Sequence, residues 1–202
     1  MIKKNFYLIG FGFYIIIFLL LPTKSFAQCA GFDSSTPFEV CDIANPNSQA
    51  IDLFPLLGAT AVPGGTWSDD NNSGGLNEIT GVLNAQVIPI SGIYHYTYTV
   101  SGIGGCADNS ATIEVIIGGY AGFAEKASAC SDDHSFNLFQ IFNASSHLSP
   151  QSGGNWYNDT NGMPVNSVID AATLDLATTQ FTYSIPAIGN CPAVSSTGFV
   201  TV

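Results

Sequence analysis

An Asp-x-Asn pair lies three and five residues after each of the two tryptophans in this chain. The pairs are Asp70 with Asn72 and Asp159 with Asn161. Carboxylate and amide oxygens of this kind suit Ca²⁺, although that ion takes about six to eight oxygen ligands. Asp and Asn also tolerate the left-handed conformation of tight turns and bond the nearby backbone. Because only two side chains recur in each loop, we favour a hairpin turn over a calcium site.

Other residues that could do chemistry are not arranged for a reaction. The histidines, His95, His134 and His147, have no paired spacing, and the chain contains no C-x-x-C metal motif. A nucleophile and its base must lie within hydrogen-bond reach, and neither a G-x-S-x-G motif nor any other spacing brings a serine to a histidine. We therefore predict that the protein is not an enzyme and has no catalytic residue, and that it needs no cofactor unless the Asp-x-Asn loops hold calcium.

The charge balance excludes a nucleic-acid-binding surface. The 202 residues include 15 Asp and Glu against 4 Lys, for a net charge of −11. Three of the lysines lie within the first 27 residues, so the remainder carries one lysine and all 15 acids. A surface of that sign would repel a phosphate backbone.

The N-terminus has the pattern of an export signal over residues 1–27. Lys3 and Lys4 precede an uncharged run over residues 6–21, and small residues stand at the −3 and −1 positions of a cleavage site after Ala27. An uncleaved anchor would want about 20 apolar residues. A lipoprotein would use Cys29, but Gln28 stands where a lipidation site needs a small residue. We favour cleavage and an extracellular or cell-surface location, where disulfides persist.

The chain repeats itself after the signal. Cys41 and Trp67 recur as Cys130 and Trp156, both 89 residues later, and the Gly-Gly-Thr-Trp string recurs as Gly-Gly-Asn-Trp. Further matches follow in the same order, ending with residues 103–106 against 188–191. A unit of this length exceeds the solenoid periods of roughly 20 to 50 residues and is large enough for a small domain. We define repeat 1 as residues 28–118 and repeat 2 as residues 119–202.

The local pattern within each repeat predicts β-structure. Residues 93–100 and 112–117 alternate apolar and polar side chains, as half-buried strands do. Gly and Pro clusters interrupt the chain at turn-like intervals, and only short stretches near 53–57 and 138–142 suit a helix. An all-β fold of two tandem antiparallel β-sandwiches follows. Trp67 and Trp156 are interpreted as core anchors, with carbohydrate stacking as the alternative.

Four of the five cysteines fall at equivalent places in the two repeats. Four cysteines allow three connectivities, and pairing Cys41 with Cys106 and Cys130 with Cys191 keeps each bridge inside its own repeat. On this pairing each repeat would gain about 4 kcal/mol on the chain-entropy model and fold alone. Cys29 is left over, either free or joined to another chain.

These residues resemble a known family of surface repeats. The string Gly-Gly-Thr-Trp-Ser over residues 64–68, Gly92-Ile93-Tyr94 leading into a Tyr-Thr-Tyr-Thr-Val strand, and a cysteine a few residues on are similar to the immunoglobulin-like repeats of large gliding-motility-associated adhesins of Gram-negative bacteria. The resemblance covers about 175 residues, although Thr179 stands where repeat 1 has Tyr94. It implies an exported protein of many tandem immunoglobulin-like sandwiches, sorted by type IX secretion. On that basis we expect the chain to be the N-terminal part of a longer protein.

Two function classes fit these observations. The first is a non-catalytic exported cell-surface repeat protein, adhesin-like or associated with gliding motility, whose partner is an unknown surface protein or glycan. The second is a pair of carbohydrate-binding accessory domains of a secreted hydrolase, with Tyr157 on the sugar-binding face.

Overall fold

A computed structural model describes residues 29–102, 107–142, 148–174 and 177–202, so the predicted signal peptide, Cys106 and His147 lie outside the described residues. The fold is all-β and β-sandwich-like, as the sequence predicts. The strands are β1 Phe38–Val40, β2 Ile51–Asp52, β3 Thr66–Asp69, β4 Leu76–Asn77, β5 Val82–Leu83, β6 Gly92–Val100, β7 Asn109–Ile117, β8 Lys126–Ser128, β9 Phe136–Asn137, β10 Asn155–Asn158, β11 Met163–Val165, β12 Val168–Ile169, β13 Thr178–Ile185 and β14 Val194–Thr201.

The helical segments within these ranges are short 3₁₀ turns. They are Pro46–Gln49, Phe54–Leu57, Ala85–Val87, Leu138–Ile141 and Ala171–Thr173. Two of them coincide with the stretches near 53–57 and 138–142 that the sequence marks as helix-compatible. Within the same ranges no helix has the length and apolar character needed to cross a membrane.

The strands of repeat 2 follow those of repeat 1 in the same order. The main sheet of repeat 1 runs β1-β7-β6-β3, and that of repeat 2 runs β8-β14-β13-β10-β11. In both sheets the first strand of the repeat pairs in parallel with the last, and the remaining pairs are antiparallel. The small second sheets are β2-β5-β4 and β9-β12. The difference arises because β11 pairs with β10 in the main sheet, whereas its equivalent β4 pairs with β5.

The alternating side chains of the long strands build two separate cores. Tyr96, Tyr98 and Val100 of β6 are buried on one face, while Thr97 and Thr99 between them are partly exposed. One buried cluster contains residues of repeat 1 with Trp67, and the other contains residues of repeat 2 with Trp156. Each repeat therefore buries its own apolar face.

The disulfide pairing differs from the prediction. Cys41 is bonded to Cys191, across 150 residues of sequence, and Cys130 is an exposed free thiol. The predicted pairs Cys41 with Cys106 and Cys130 with Cys191 are therefore wrong. Cys29, expected to be left over, is itself disulfide-bonded.

The reason for the difference is the way the two repeats meet. Cys41 follows the edge strand β1, and Cys191 lies in the turn between β13 and β14, which reaches across to that edge. The bridge thus joins the edge of one repeat to the loop between the last two strands of the neighbouring repeat. The repeats are thus joined by a disulfide as well as by the chain between them.

Candidate functional site

A tyrosine hydroxyl holds the Gly-Gly-x-Trp turn in each repeat. The Tyr98 hydroxyl donates to the Val62 carbonyl at 2.7 Å and accepts from the Gly65 amide at 2.8 Å. In repeat 2 the Tyr183 hydroxyl donates to the Gln151 carbonyl at 2.7 Å and accepts from the Gly154 amide at 2.8 Å. Both hydrogen-bonding functions of each phenol are satisfied, as burial requires.

This close approach explains the second glycine of the motif. A Cβ at Gly65 would lie 2.3 Å from the Thr99 carbonyl oxygen and 2.7 Å from the Tyr98 ring. At Gly154 it would lie 2.5 Å from the Tyr183 ring. The motif is therefore required by packing against the strand beside it.

The two tryptophans lie inside the cores. Trp67 and Trp156 are 6 % and 3 % exposed, and their rings pack on Tyr98 and Tyr183 with centroids 5.0 and 4.9 Å apart. A sugar would need an open ring face to stack on, and at this burial neither indole offers one. The aromatic pairs instead add to the packing of each core.

In repeat 1 the turn after the tryptophan is built by side-chain hydrogen bonds. Asp70 accepts from the Ser68 hydroxyl at 2.7 Å and from the Thr97 hydroxyl at 2.7 Å. Asn72 has a φ of 53°, the left-handed conformation expected of a turn residue. Both oxygens of Asp70 therefore already have hydroxyl donors.

Repeat 2 keeps the threonine bond of this arrangement, whereas Tyr157 stands where repeat 1 has Ser68. Asp159 accepts from the Thr182 hydroxyl at 2.8 Å, and Thr182 in turn contacts the Thr197 hydroxyl at 2.7 Å. The Asn161 side chain accepts from the Met163 amide at 2.9 Å. Within the described ranges, no three His, Cys, Asp or Glu side chains are grouped as a metal site would require.

Buried hydroxyl groups also hold the turn that follows Trp67 in repeat 1. Ser73 donates to Asp69 at 2.8 Å, so the 2.9 Å contact between the Ser73 and Tyr96 oxygens must carry the Tyr96 proton. Burial raises the pKa of Tyr96, and the negative charge of Asp69 raises it further. Tyr96 therefore stays a neutral donor that fixes this turn.

His95 and His134 make surface contacts. His95 lies 3.3 Å from the Asn71 amide oxygen and 3.4 Å from a Glu114 carboxylate oxygen. His134 lies 3.0 Å from the Asp170 carboxylate, which also caps a 3₁₀ turn. These partners are amide and carboxylate oxygens, which orient the imidazole rings.

The two repeats contact each other through a disulfide, several hydrogen bonds and a packed linker. On one side, the turn that precedes Cys191 lies on the edge of the repeat 1 sheet. Cys41 and Cys191 have Cα atoms 5.0 Å apart, and beside them the Asn190 amide donates to the Glu39 carboxylate at 2.7 Å. A covalent bond and a charge-assisted hydrogen bond hold this side.

A second contact is centred on a buried glutamine. Gln151 of repeat 2 is 5 % exposed, and its side-chain amide donates to the Ile88 carbonyl of repeat 1 at 3.1 Å. Its side-chain oxygen accepts from the Tyr120 amide at 2.9 Å. The next residue, Ser152, donates its backbone N–H to the Pro89 carbonyl at 2.8 Å. If the contact opened, these bonds would be exchanged for bonds to water, so each contributes about 1 kcal/mol to holding the contact closed.

The linker between the repeats is packed against both of them. A Cβ at Gly118 would lie 2.9 Å from the Cys41 Cα atom, and one at Gly119 would lie 2.8 Å from Ile185 of repeat 2. Tyr120 of the linker and Leu148 of repeat 2 pack on the core cluster of repeat 1. We name these elements together the joint: the Cys41–Cys191 bridge, the Gln151 contacts and the linker 118–120.

Sequence reasoning missed the joint because its residues carry no local signal. Gln151 is one polar residue in a Ser- and Pro-rich stretch, and nothing in its neighbours indicates burial. The paired glycines after β7 are the one feature that could have suggested a closely packed linker.

Comparisons with known proteins add no assignment: no protein-family model matches the chain, and no curated protein matches it.

Proposed function

We propose that the chain is a non-catalytic exported surface protein in which the two repeats form a rigid spacer, adhesin-like or associated with gliding motility. Residues 1–27 would direct export and be removed. The repeats would belong to the immunoglobulin-like class of sandwich. An unidentified surface protein or glycan would bind elsewhere on the assembly to which the spacer belongs.

The observation that carries this proposal is the joint. A flexible tandem protein needs only a linker, whereas this one has a disulfide, a buried glutamine and a glycine pair packed between the two repeats. Such a junction fixes the orientation of one repeat relative to the other. Fixed orientation is useful to a protein that must hold a ligand-binding part at a distance from the cell.

The surface chemistry supports the same proposal. Few residues are charged, and nearly all of those charges are negative, so the surface does not attract anionic polymers. The acids of the post-tryptophan turns are occupied by threonine and serine hydroxyls. They serve the fold rather than a reaction.

Distance measurements across the joint test this function. A nitroxide at the free thiol of Cys130 in repeat 2 and another at an Ile79→Cys variant in repeat 1, where the side chain is 92 % exposed, report the separation of the repeats. Pulsed electron paramagnetic resonance should give one narrow distance distribution in the oxidised chain. A chain labelled at Cys130 alone shows whether any signal comes from association of molecules.

The matched comparison is the doubly labelled chain carrying Cys41→Ser and Cys191→Ser. Removing the bridge should broaden the distribution, because only the non-covalent contacts of the joint remain. A broad distribution in the intact oxidised chain would overturn the rigid-spacer proposal.

Tyr157 supports the second candidate, a carbohydrate-binding accessory domain. It neighbours the buried Trp156 on β10, so its ring lies on the opposite, outer face, beside Thr182 and Pro164 in the sheet register. Glycan binding that is lost in Tyr157→Ala, retained in Tyr157→Phe and accompanied by unchanged unfolding would favour this candidate over a spacer.

A further inference from the structure

Cys130 occupies in repeat 2 the place that Cys41 occupies in repeat 1. In repeat 1 the edge strand β1 pairs in parallel with β7, with Phe38 opposite Val115 and Glu39 opposite Ile116. In repeat 2 the residues 89 positions after Phe38 and Glu39 pair in parallel with the residues 85 positions after Val115 and Ile116. The register is the same, so each cysteine lies two residues beyond equivalent pairs.

The edge of repeat 1 shows what such a cysteine binds. The turn between β13 and β14, with Gly189 and Asn190 at its tip, lies on this edge and presents Cys191 to Cys41. An ideal Cβ at Gly189 would lie 2.4 Å from Ile116, so the glycine lets the turn rest on that side chain. Ile116 is consequently only 4 % exposed.

The equivalent edge of repeat 2 is uncovered. Cys130 is exposed and is the free cysteine among the described residues. Thr201 corresponds to the buried Ile116 but is exposed, whereas Ser128 is exposed like its equivalent Glu39. The equivalent sheet edge is thus covered by a turn of the other repeat in repeat 1 and exposed in repeat 2.

We propose that Cys130 is the acceptor half of a second inter-repeat disulfide, whose partner is the β-hairpin of a further repeat of this type with a Gly-x-Cys turn. The inference rests on the proposed function, since it treats the repeats as units of a series. The hydroxyl groups of Ser128 and Thr201 would meet the partner turn where Glu39 and Ile116 meet the turn in the existing joint. The joint would then be a device that recurs from one repeat to the next.

The bond-forming step is an oxidation of two thiols. The Cys130 thiol and the partner thiol lose two protons and two electrons and form one sulfur–sulfur bond. The electrons pass to a disulfide reagent such as glutathione disulfide, which is reduced to two thiols. An unpaired cysteine in an exported chain is the expected starting material for such pairing.

An extended chain tests the proposal. The full chain is followed directly by a second copy of its own residues 118–202 in which Cys130 is replaced by serine, so that the copy supplies one further hairpin and only its Cys191, and the extended chain is oxidised in a glutathione buffer. Peptide mapping under non-reducing conditions should find Cys130 joined to the added hairpin cysteine, with at least a tenfold loss of Cys130 alkylation compared with the original chain. In the Cys130→Ser version of the extended chain, the added hairpin cysteine should be alkylated.

The Cys41–Cys191 bridge in the same molecule is the internal standard. If that bridge forms while Cys130 stays alkylated, or if two Cys130 residues of separate molecules join instead, the proposal is wrong.

A second variant does not depend on folding of the added copy. Glu39→Ser with Ile116→Thr gives the edge of repeat 1 the residues found on the edge of repeat 2. The Cys41–Cys191 bridge should still form in at least half of the molecules. Its loss would show that a repeat 2 edge cannot accept the turn, and would overturn the proposal.

The outcomes separate this inference from the proposed function. If the two-repeat chain gives a narrow distance distribution but Cys130 stays alkylated in the extended chain, the rigid-spacer proposal stands and the second bridge is wrong. If the distance distribution is broad but Cys130 forms the new bridge, the second bridge is established and the rigid-spacer proposal is wrong.

Discussion

At the scale of single residues, the repeated motif is explained by contacts between a turn and the strand beside it. Gly65 and Gly154 lie against tyrosine rings that a Cβ would strike, and the hydroxyl groups of those tyrosines hold the turn. The repeated motif is therefore explained by packing inside each repeat and gives no indication of a ligand site.

Substituting the second glycine should destabilise the protein. In Gly65→Ala the new methyl meets a backbone oxygen at 2.3 Å, which cannot move without distorting β6, so we expect a loss of about 3 kcal/mol in the free energy of unfolding. Urea denaturation measures it. The matched control is Gly92→Ala, where the nearest atom is a tyrosine ring carbon at 3.2 Å, with an expected change of less than about 1 kcal/mol. Equal effects of the two substitutions would contradict this explanation.

The buried tyrosines should make the protein sensitive to alkali. Burial raises the pKa of Tyr96 and of Tyr183, whereas a tyrosine in the unfolded chain ionises near about pH 10. The stabilisation that follows from these raised pKa values is complete below about pH 10 and is lost as the pH rises above it. The free energy of unfolding, measured in Cys130→Ser to limit thiol exchange, should therefore fall between pH 9 and about pH 11.

Ultraviolet absorbance of tyrosinate at 295 nm identifies the groups responsible. Part of the tyrosine absorbance should increase only when the protein unfolds, and Tyr96→Phe should reduce that part. Ionisation of every tyrosine near about pH 10 in the folded protein would show that the phenols are not protected.

At the scale of elements, the turns after the tryptophans are closed by hydroxyl-to-carboxylate bonds. Thr97 and Thr182 donate to Asp70 and Asp159 from the neighbouring strands. Each of these bonds uses one carboxylate oxygen that a metal would need, and in Asp70 the Ser68 hydroxyl uses the other.

Calcium should therefore have no effect on stability. Adding millimolar Ca²⁺, or removing it with a chelator, is expected to leave the thermal midpoint unchanged to within about 1 °C. A higher midpoint with Ca²⁺ that disappears in the Asp70→Asn and Asp159→Asn chain would establish the calcium site instead. The same variant without calcium is the control for the lost hydroxyl bonds, worth about 1 kcal/mol each.

The elements differ in how far the sequence predicts them. β6 and β7 are nine residues each with a clear alternation, and the sequence identifies them. Strands such as β2 and β4 contain two residues, too few for any periodicity to show. They form because both pair with β5 in the folded repeat, and this pairing depends on tertiary structure that the local sequence does not show.

At the scale of the whole molecule, the sequence predicts two repeats but not how they meet. Equivalent cysteines in two copies favour a bridge inside each copy, since that pairing needs no knowledge of the contact between them. The observed bridge depends on the turn before Cys191 reaching the edge of β1, and on Gln151 being buried at the same contact. Docking of one repeat on another leaves no periodic pattern in the chain.

The most direct test of the account is disulfide mapping of the oxidised full chain. Alkylation of free thiols, digestion without reduction and mass spectrometry should give a peptide pair that joins Cys41 to Cys191, with Cys130 alkylated and Cys29 protected from alkylation. That result establishes the covalent link between the repeats, on which the rigid spacer depends. Peptides that join Cys41 to Cys106 and Cys130 to Cys191 would instead place each bridge inside one repeat and contradict the account.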